Sequence, residues 1–236
     1  MTLSRPFAHF ALTLGLLGAL LSAPIAAGAS NLPSVTAILK AANAQMLKET
    51  SVHIEVVSVN KTTSSTIKVN LGVTKGAEYL QSNKMKVAIV VTPQAAYLSG
   101  NKLGLTTVMG LTSVQQSKIG TKWMKMLHGT SPYTNLAKNL TTAVFSRILP
   151  QVKGTKVSTS SDKAKDFQLS WMTAAGASSA TKNVLLISSG AKRLPISQTI
   201  TTSAGHGTTK YSKWGKGFTL TVPRANDTVT YKAVFG

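Results

Sequence analysis

Apolar and polar residues recur with two different periods along this chain, and the changes of period divide it into segments. Val35, Ile38, Leu39, Ala42 and Met46 return at steps of three and four, which puts them on one face of a helix over residues 33–50. Pro33 and Ser34 suit the start of that helix. At Ser51 the period falls to two. Ile67, Val69, Leu71 and Val73 alternate with Thr66, Lys68, Asn70 and Gly72, the pattern of a strand with one buried face. Val52 to Val56 and Met85 to Ile89 read the same way. Short connections rich in Ser, Thr, Asn and Gly join them, as in an antiparallel meander.

The middle of the chain breaks this rhythm. Residues 103–116 are apolar but carry Gly104 and Gly110, so the helical stretch expected over 102–117 is short or broken. Trp123 to Met126 predicts a strand. Ser131 and Pro132 predict an N-cap and a first-turn proline, followed by Leu136, Leu140, Val144 and Ile148 at spacing four and by Pro150. Those signals predict one continuous helix over 132–149. From Val157 the strand period returns at Phe167 to Trp171, Ile196 to Ile200, Phe218 to Val222 and Val229 to Phe235. Turns at Ser189-Gly190, at 204–207 and at 214–217 separate them. Helix, strands, helices, strands is the order of a single α+β domain over residues 30–236 on a large antiparallel sheet.

Residues 1–29 belong to a different class. Arg5 precedes a charge-free apolar run from Phe10 to Ala27, and Ala27-Gly28-Ala29 offers small residues where a signal peptidase needs them. Gly15, Gly18 and Pro24 interrupt the run, and no basic stop-transfer cluster follows it, which argues against an uncleaved membrane anchor. The expectation is an exported protein, extracellular or held in the cell envelope, soluble after cleavage.

Charge narrows the function. Lys and Arg number 26 against six Asp and Glu, a formal net charge of +20. Six carboxylates leave little material for paired-carboxylate or carboxylate–metal chemistry. The absence of cysteine excludes disulfides, thiolate metal sites, cysteine nucleophiles and lipid attachment through Cys. The lysines are dispersed rather than run together, which speaks against specific nucleic-acid recognition. An anionic membrane or a cell-wall polymer remains a candidate partner.

Catalytic and metal motifs are missing. His53, His128 and His206 have no Asp, Glu or Cys at ligand spacing, and no P-loop, Gly-x-Ser-x-Gly or His-Glu-x-x-His occurs. Asp162 or Asp166 with His128 is the remaining way to assemble a hydrolytic triad from distant residues. No catalytic residue, metal or cofactor is therefore expected, and the chain reads as a binder before an enzyme.

Three segments resemble the LppX/LprG-type mycobacterial lipoproteins, whose fold is that of the lipoprotein carrier LolA. The first is Ala96-Tyr97-Leu98-Ser99-Gly100-Asn101 with Lys122-Trp123-Met124 after it. The second runs from Leu185-Leu186-Ile187 to Leu194-Pro195-Ile196. The third joins Tyr211-Ser212-Lys213-Trp214-Gly215-Lys216 to Thr221-Val222-Pro223. The resemblance spans roughly residues 33 to 230. It implies a curved antiparallel half-barrel with helices packed on its concave face and a space between them for the acyl chains of a lipid or lipid-like amphiphile. The chain departs from that family in lacking the lipobox Cys.

Methionine and leucine among glycines suit a surface that adapts to variable apolar guests, although the same residues could simply fill a core. With the resemblance, the expected cavity lining is Leu103, Leu105, Val108, Met109 and Leu111 as a movable lid. Met124 and Met126 join it, with Leu140, Val144 and Ile148 as a fixed wall. The alternative is a basic cell-envelope interaction protein with a filled core and no cavity.

Overall fold

The computed structural model describes residues 32–149, 155–160, 165–175 and 179–236. Residues 1–29, expected to be a leader, and Pro150 lie outside them. A first helix, α1 (Val35–Met46), is capped by Ser34, whose hydroxyl accepts the Ala37 N–H at 3.2 Å. It buries Ile38, Ala42 and Met46, one residue per turn, and ends four residues before the predicted limit. Five strands then form a meander: β1 (Ser51–Asn60), β2 (Ser64–Gly72), β3 (Gly76–Ser82), β4 (Lys86–Val91) and β5 (Ala95–Gly100).

Two short helices follow, α2 (Lys102–Met109) and α3 (Ser113–Ile119), and then β6 (Trp123–Leu127) and α4 (Ser131–Asn139). The break between α2 and α3 falls at Gly110, which takes φ 64° to close α2, and a capping box at Thr112 and Gln115 opens α3. Four more strands make a second antiparallel run: β7 (Lys156–Thr159), β8 (Phe167–Ala175), β9 (Ser179–Ile187) and β10 (Pro195–Thr202). The chain ends with β11 (Gly205–Ser212), β12 (Thr228–Thr230) and α5 (Tyr231–Phe235). The twelve strands of the described residues share one open sheet, in the order β12-β6-β5-β4-β3-β2-β1-β11-β10-β9-β8-β7.

Four expectations are corrected. The sheet is mixed, because β12 runs parallel to β6 at one edge. The helix expected over 132–149 stops at Asn139 and resumes as a 3-10 turn over Thr142–Arg147. There the chain lies against the sheet: a Cβ on Gly76 would overlap the Leu140 carbonyl, and Thr141 bridges to Gly72. Residues 218–222 form no strand. That segment crosses the strands instead of pairing with them, held by Gly217 N–H on Ser51 Oγ (2.9 Å) and Lys75 Nζ on the Phe218 carbonyl (2.9 Å). Val229 to Phe235 divides into β12 and α5. In addition, Gly205, His206 and Gly207 belong to β11, opposite Asn60, Val59 and Ser58, and the turn itself sits at 203–204.

Cross-strand pairing places side chains in transverse rows, since paired residues share a face. One row on the helix-covered, inner face reads Met124, Leu98, Ile89, Glu78, Val69, Ile54, Tyr211. The neighbouring row reads Gly100, Val87, Leu80, Ile67, Val56, Thr209, Gln198, Leu185, Leu169, Val157. Around β8 and β9, α1 seals a cluster of Phe167, Leu169, Trp171, Leu185 and Ile187. A larger cluster joins β1–β6 to α2, α3, α4 and α5. On the opposite, outer face, Ala77, Val90, Ala95 and Tyr97 are buried beneath Leu220 of the crossing segment.

Candidate functional site

Helix α2 is seated on the inner face through its glycine. A Cβ on Gly104 would press on the Lys86 carbonyl and on Val87, and Leu105 sits against Gly100. Both contacts belong to the Gly100–Val87 end of the second row. Leu105, Val108 and Met109 form the buried stripe of α2 and Leu111 follows it inward, whereas Leu103 is 44% exposed. Met124 and Met126 point inward from β6 and are fully buried. Leu140 and Ile148 are buried, and Val144 is half-buried against the same cluster. Nine of the ten predicted lining residues therefore meet in one apolar cluster, and Leu103 lies outside it.

Phe145, 1% exposed, was not among them. A 3-10 turn brings it inward in place of its neighbour Val144, and the helical spacing hid it. Its ring meets Trp214 edge-to-face at 5.6 Å.

Burial on the inner face fades toward one end of the central strands. Val52 and Ile54 on β1 and Val69 and Leu71 on β2 are buried, but Val56 and Ile67 are half-buried. Pro195 and Gln198 on β10 are buried, and Ile200 is half-buried. The half-buried residues lie toward the β1–β2 and β10–β11 turns, Val56 and Ile67 in the row on which α2 sits and Ile200 in the row beyond it. An apolar strip of Val56 and Ile67, paired across β1 and β2, thus reaches the surface there, with Ile200 two strands away on β10.

Glu78, Gln198 and Tyr211 are among the polar side chains on this inner face. Glu78 stands between Val69 and Ile89, and burial pushes its carboxyl up to about 7 from an ordinary value of 4.5. Gln198 pairs across the ladder with Thr209, and Tyr211 follows two residues further along the same strand. Gln198 Oε1 and the Tyr211 hydroxyl are enclosed and have no hydrogen-bond partner among the described residues. Neither is an expected site residue, although Tyr211 opens the third resembling segment. The period-two pattern carries the signal for Gln198, which shares parity with the apolar Ile200.

The outer face differs. A groove of about 680 Å3 there is lined by Glu55, Thr66, Lys68, Tyr79, Gln81 and Lys86 among others, and includes none of the predicted lining residues. Lys68 approaches Glu55 at 3.6 Å, an exposed pair. Its polar walls fit an apolar guest poorly.

The groups considered for hydrolysis are separated. Asp166 is buried and accepts the Ser189 N–H at 3.0 Å. His128 lies beside β6 with its ring against Tyr133, and eight strands stand between β6 and β8. Asp162 falls outside the described residues. Among the described residues no three His, Asp or Glu side chains cluster as a metal site.

No protein-family model matches the chain, and no curated protein does. Among solved structures it is similar to the lipoprotein LppX of Mycobacterium tuberculosis, at 15% identity and a TM-score of 0.44 over 79% of this chain and 99% of that one. It is similar also to LprF of Mycobacterium bovis, at 14% identity and a TM-score of 0.46 over 79% and 95%. A third is an uncharacterized conserved protein of Thermus thermophilus, at 10% identity and a TM-score of 0.41 over 84% and 99%. The lipoproteins that the sequence motifs resemble are thus also structural neighbours of the chain. Ligands and residue roles do not pass through a likeness of this degree.

Proposed function

We propose that this is an exported, non-enzymatic binder or carrier of a lipid-like amphiphile, whose acyl chains enter between the sheet and α2. The observation that carries the reading is the apolar strip of Val56 and Ile67, which continues the buried row under α2 out to the surface. Apolar chains gain about 0.8 kcal/mol per methylene on leaving water, so such a strip needs few polar contacts to hold one. In this reading Leu105, Val108, Met109 and Leu111 are the side chains that a guest displaces. Met124, Met126, Leu140, Val144 and Ile148 form the floor and wall, and Leu103 marks the outer edge of the lid. The exposed Lys61, on the turn between β1 and β2, stands at the same end and suits an anionic head group.

Export rests on the apolar leader and its Ala27-Gly28-Ala29 site, and the lack of cysteine leaves no thiol for a lipid anchor. Six carboxylates cannot neutralise 26 basic side chains, which supports a second role in holding the protein to an anionic membrane or wall polymer.

The test is to purify the protein from the medium or envelope of its expression host. Native mass spectrometry then looks for co-purifying lipid, and titration with a fluorescent fatty acid measures uptake. Co-purifying lipid, or saturable uptake that persists in high salt, is the expected result. An empty protein that takes up no fatty acid overturns the carrier reading. Salt-sensitive binding to anionic vesicles without uptake would favour the surface role.

A further inference from the structure

We infer that Gln198 and Tyr211 read the polar junction between head group and chain, selecting amphiphiles that carry an O–H or N–H donor beside an oxygen acceptor. The inference rests on the carrier reading above and names its ligand class. Gln198 and Tyr211 are diagonal neighbours on adjoining strands, with Gln198 opposite Thr209 and Tyr211 two residues beyond it on the same face. Diagonal pairs in antiparallel sheets lie about 7–8 Å apart, close enough for both side chains to grip one small group. Each residue is 5% exposed, and each holds an enclosed oxygen without a partner among the described residues.

Buried polar atoms are nearly always bonded. Two orphans side by side on one apolar face are not explained by stability, because Met and Phe would fill the same volumes without cost in hydrogen bonds. Their placement explains them better. The row of Gln198 continues through Thr209 to Val56 and Ile67, the half-buried residues of the mouth, and Tyr211 lies one row deeper. A guest whose chain lies inward along the strip would leave its polar junction at this level.

The chemistry required is specific. Gln198 Oε1 can only accept, whereas a phenol can donate and accept. Burial pushes the Tyr211 phenol up, so it stays protonated and able to donate. Its ring is held against Trp214 at 6.2 Å and 22°, and the Trp214 indole N–H donates to the Pro195 carbonyl at 3.1 Å. The hydroxyl is therefore fixed in the interior. An ester gives Tyr211 an acceptor and leaves Gln198 unpaired. A hydroxyl or an amide serves both.

Three probes with one chain length test this: monolauroylglycerol, lauramide and methyl laurate, each displacing a bound fluorescent fatty acid from the full protein. The first two distinguish a hydroxyl source of the donor from an amide source, and at least one of them should displace at roughly tenfold lower concentration than methyl laurate. In Gln198→Met with Tyr211→Phe that preference should vanish, and thermal stability should be kept or raised. Equal displacement by all three in the unmodified protein overturns the inference and leaves the carrier reading standing. A double variant that melts several degrees lower also overturns it, because the two oxygens would then have internal partners. If the fluorescent fatty acid never binds, the carrier reading falls and this inference falls with it.

Discussion

Glu78 shows how a single residue sets a pH dependence for the whole chain. Its place opposite Val69 and Ile89 surrounds the carboxyl with apolar neighbours, and burial lifts it to about 7. In the unfolded chain it titrates near 4.5. Between those values the folded protein keeps a proton that the unfolded chain has released. Stability therefore falls as pH rises through the window from 4.5 to about 7, and the loss is complete above it. The shift corresponds to about 3 kcal/mol at most, less what the partial exposure of Glu78 screens. Glu78→Gln should remove that slope and be the more stable protein at pH 8, by about 1–3 kcal/mol. Urea denaturation of both proteins at pH 5 and pH 8 measures it. Parallel pH profiles would show that the carboxyl is well solvated.

Elements are positioned here by close approach as much as by apolar burial. Gly76 lets the Leu140 carbonyl lie directly on β3, and this contact is where α4 stops and the 3-10 turn begins. Gly76→Ala should push that segment off the sheet and cost about 2–4 kcal/mol, by the mechanism of overpacking against an immovable backbone. Thermal melting against Gly190→Ala, whose Cβ would meet nothing closer than 3.4 Å, provides the control. Equal melting temperatures would mean that the 3-10 turn moves away without cost. The same contact explains why the spacing-four pattern of Leu136, Leu140, Val144 and Ile148 misled. It is a helical signal, yet the helix ends at Asn139 because the sheet below admits a carbonyl and no further helical turn. Low helix propensity makes Gly104 and Gly110 helix breakers on sequence alone. One proves to be a packing contact and the other a left-handed cap, roles that composition alone does not distinguish.

At the scale of the molecule, the C-terminal segment ties the two faces of the sheet together. It leaves β11, crosses the outer face with Leu220 over Ala77, Val90, Ala95 and Tyr97, pairs with β6 and ends with Val234 in the inner cluster. Ending the chain after Ser212 should expose that outer patch. The truncated protein should bind a hydrophobic dye, melt well below the full chain and aggregate, which light scattering and dye fluorescence would detect. A truncated protein that stays monomeric and dye-free would show that the segment is dispensable.

Local periodicity determined α1, the β1–β2 pair, β6, the return of strands after Val157 and the α+β class, because each depends on which residues along a short stretch face the same way. Nine of the ten residues expected to line a cavity also lie in one apolar cluster, since apolar side chains carried on the same face of the sheet and on the helices over it are buried together. Local periodicity did not reveal the parallel β12, the crossing segment at 218–222 or the buried place of Phe145. Those depend on which distant backbone lies alongside, a property of the assembled sheet. The same holds for Gln198 and Tyr211. Residue type supplies their oxygens, but twelve strands in register placed them side by side, and enclosure by the surrounding fold left both oxygens without partners.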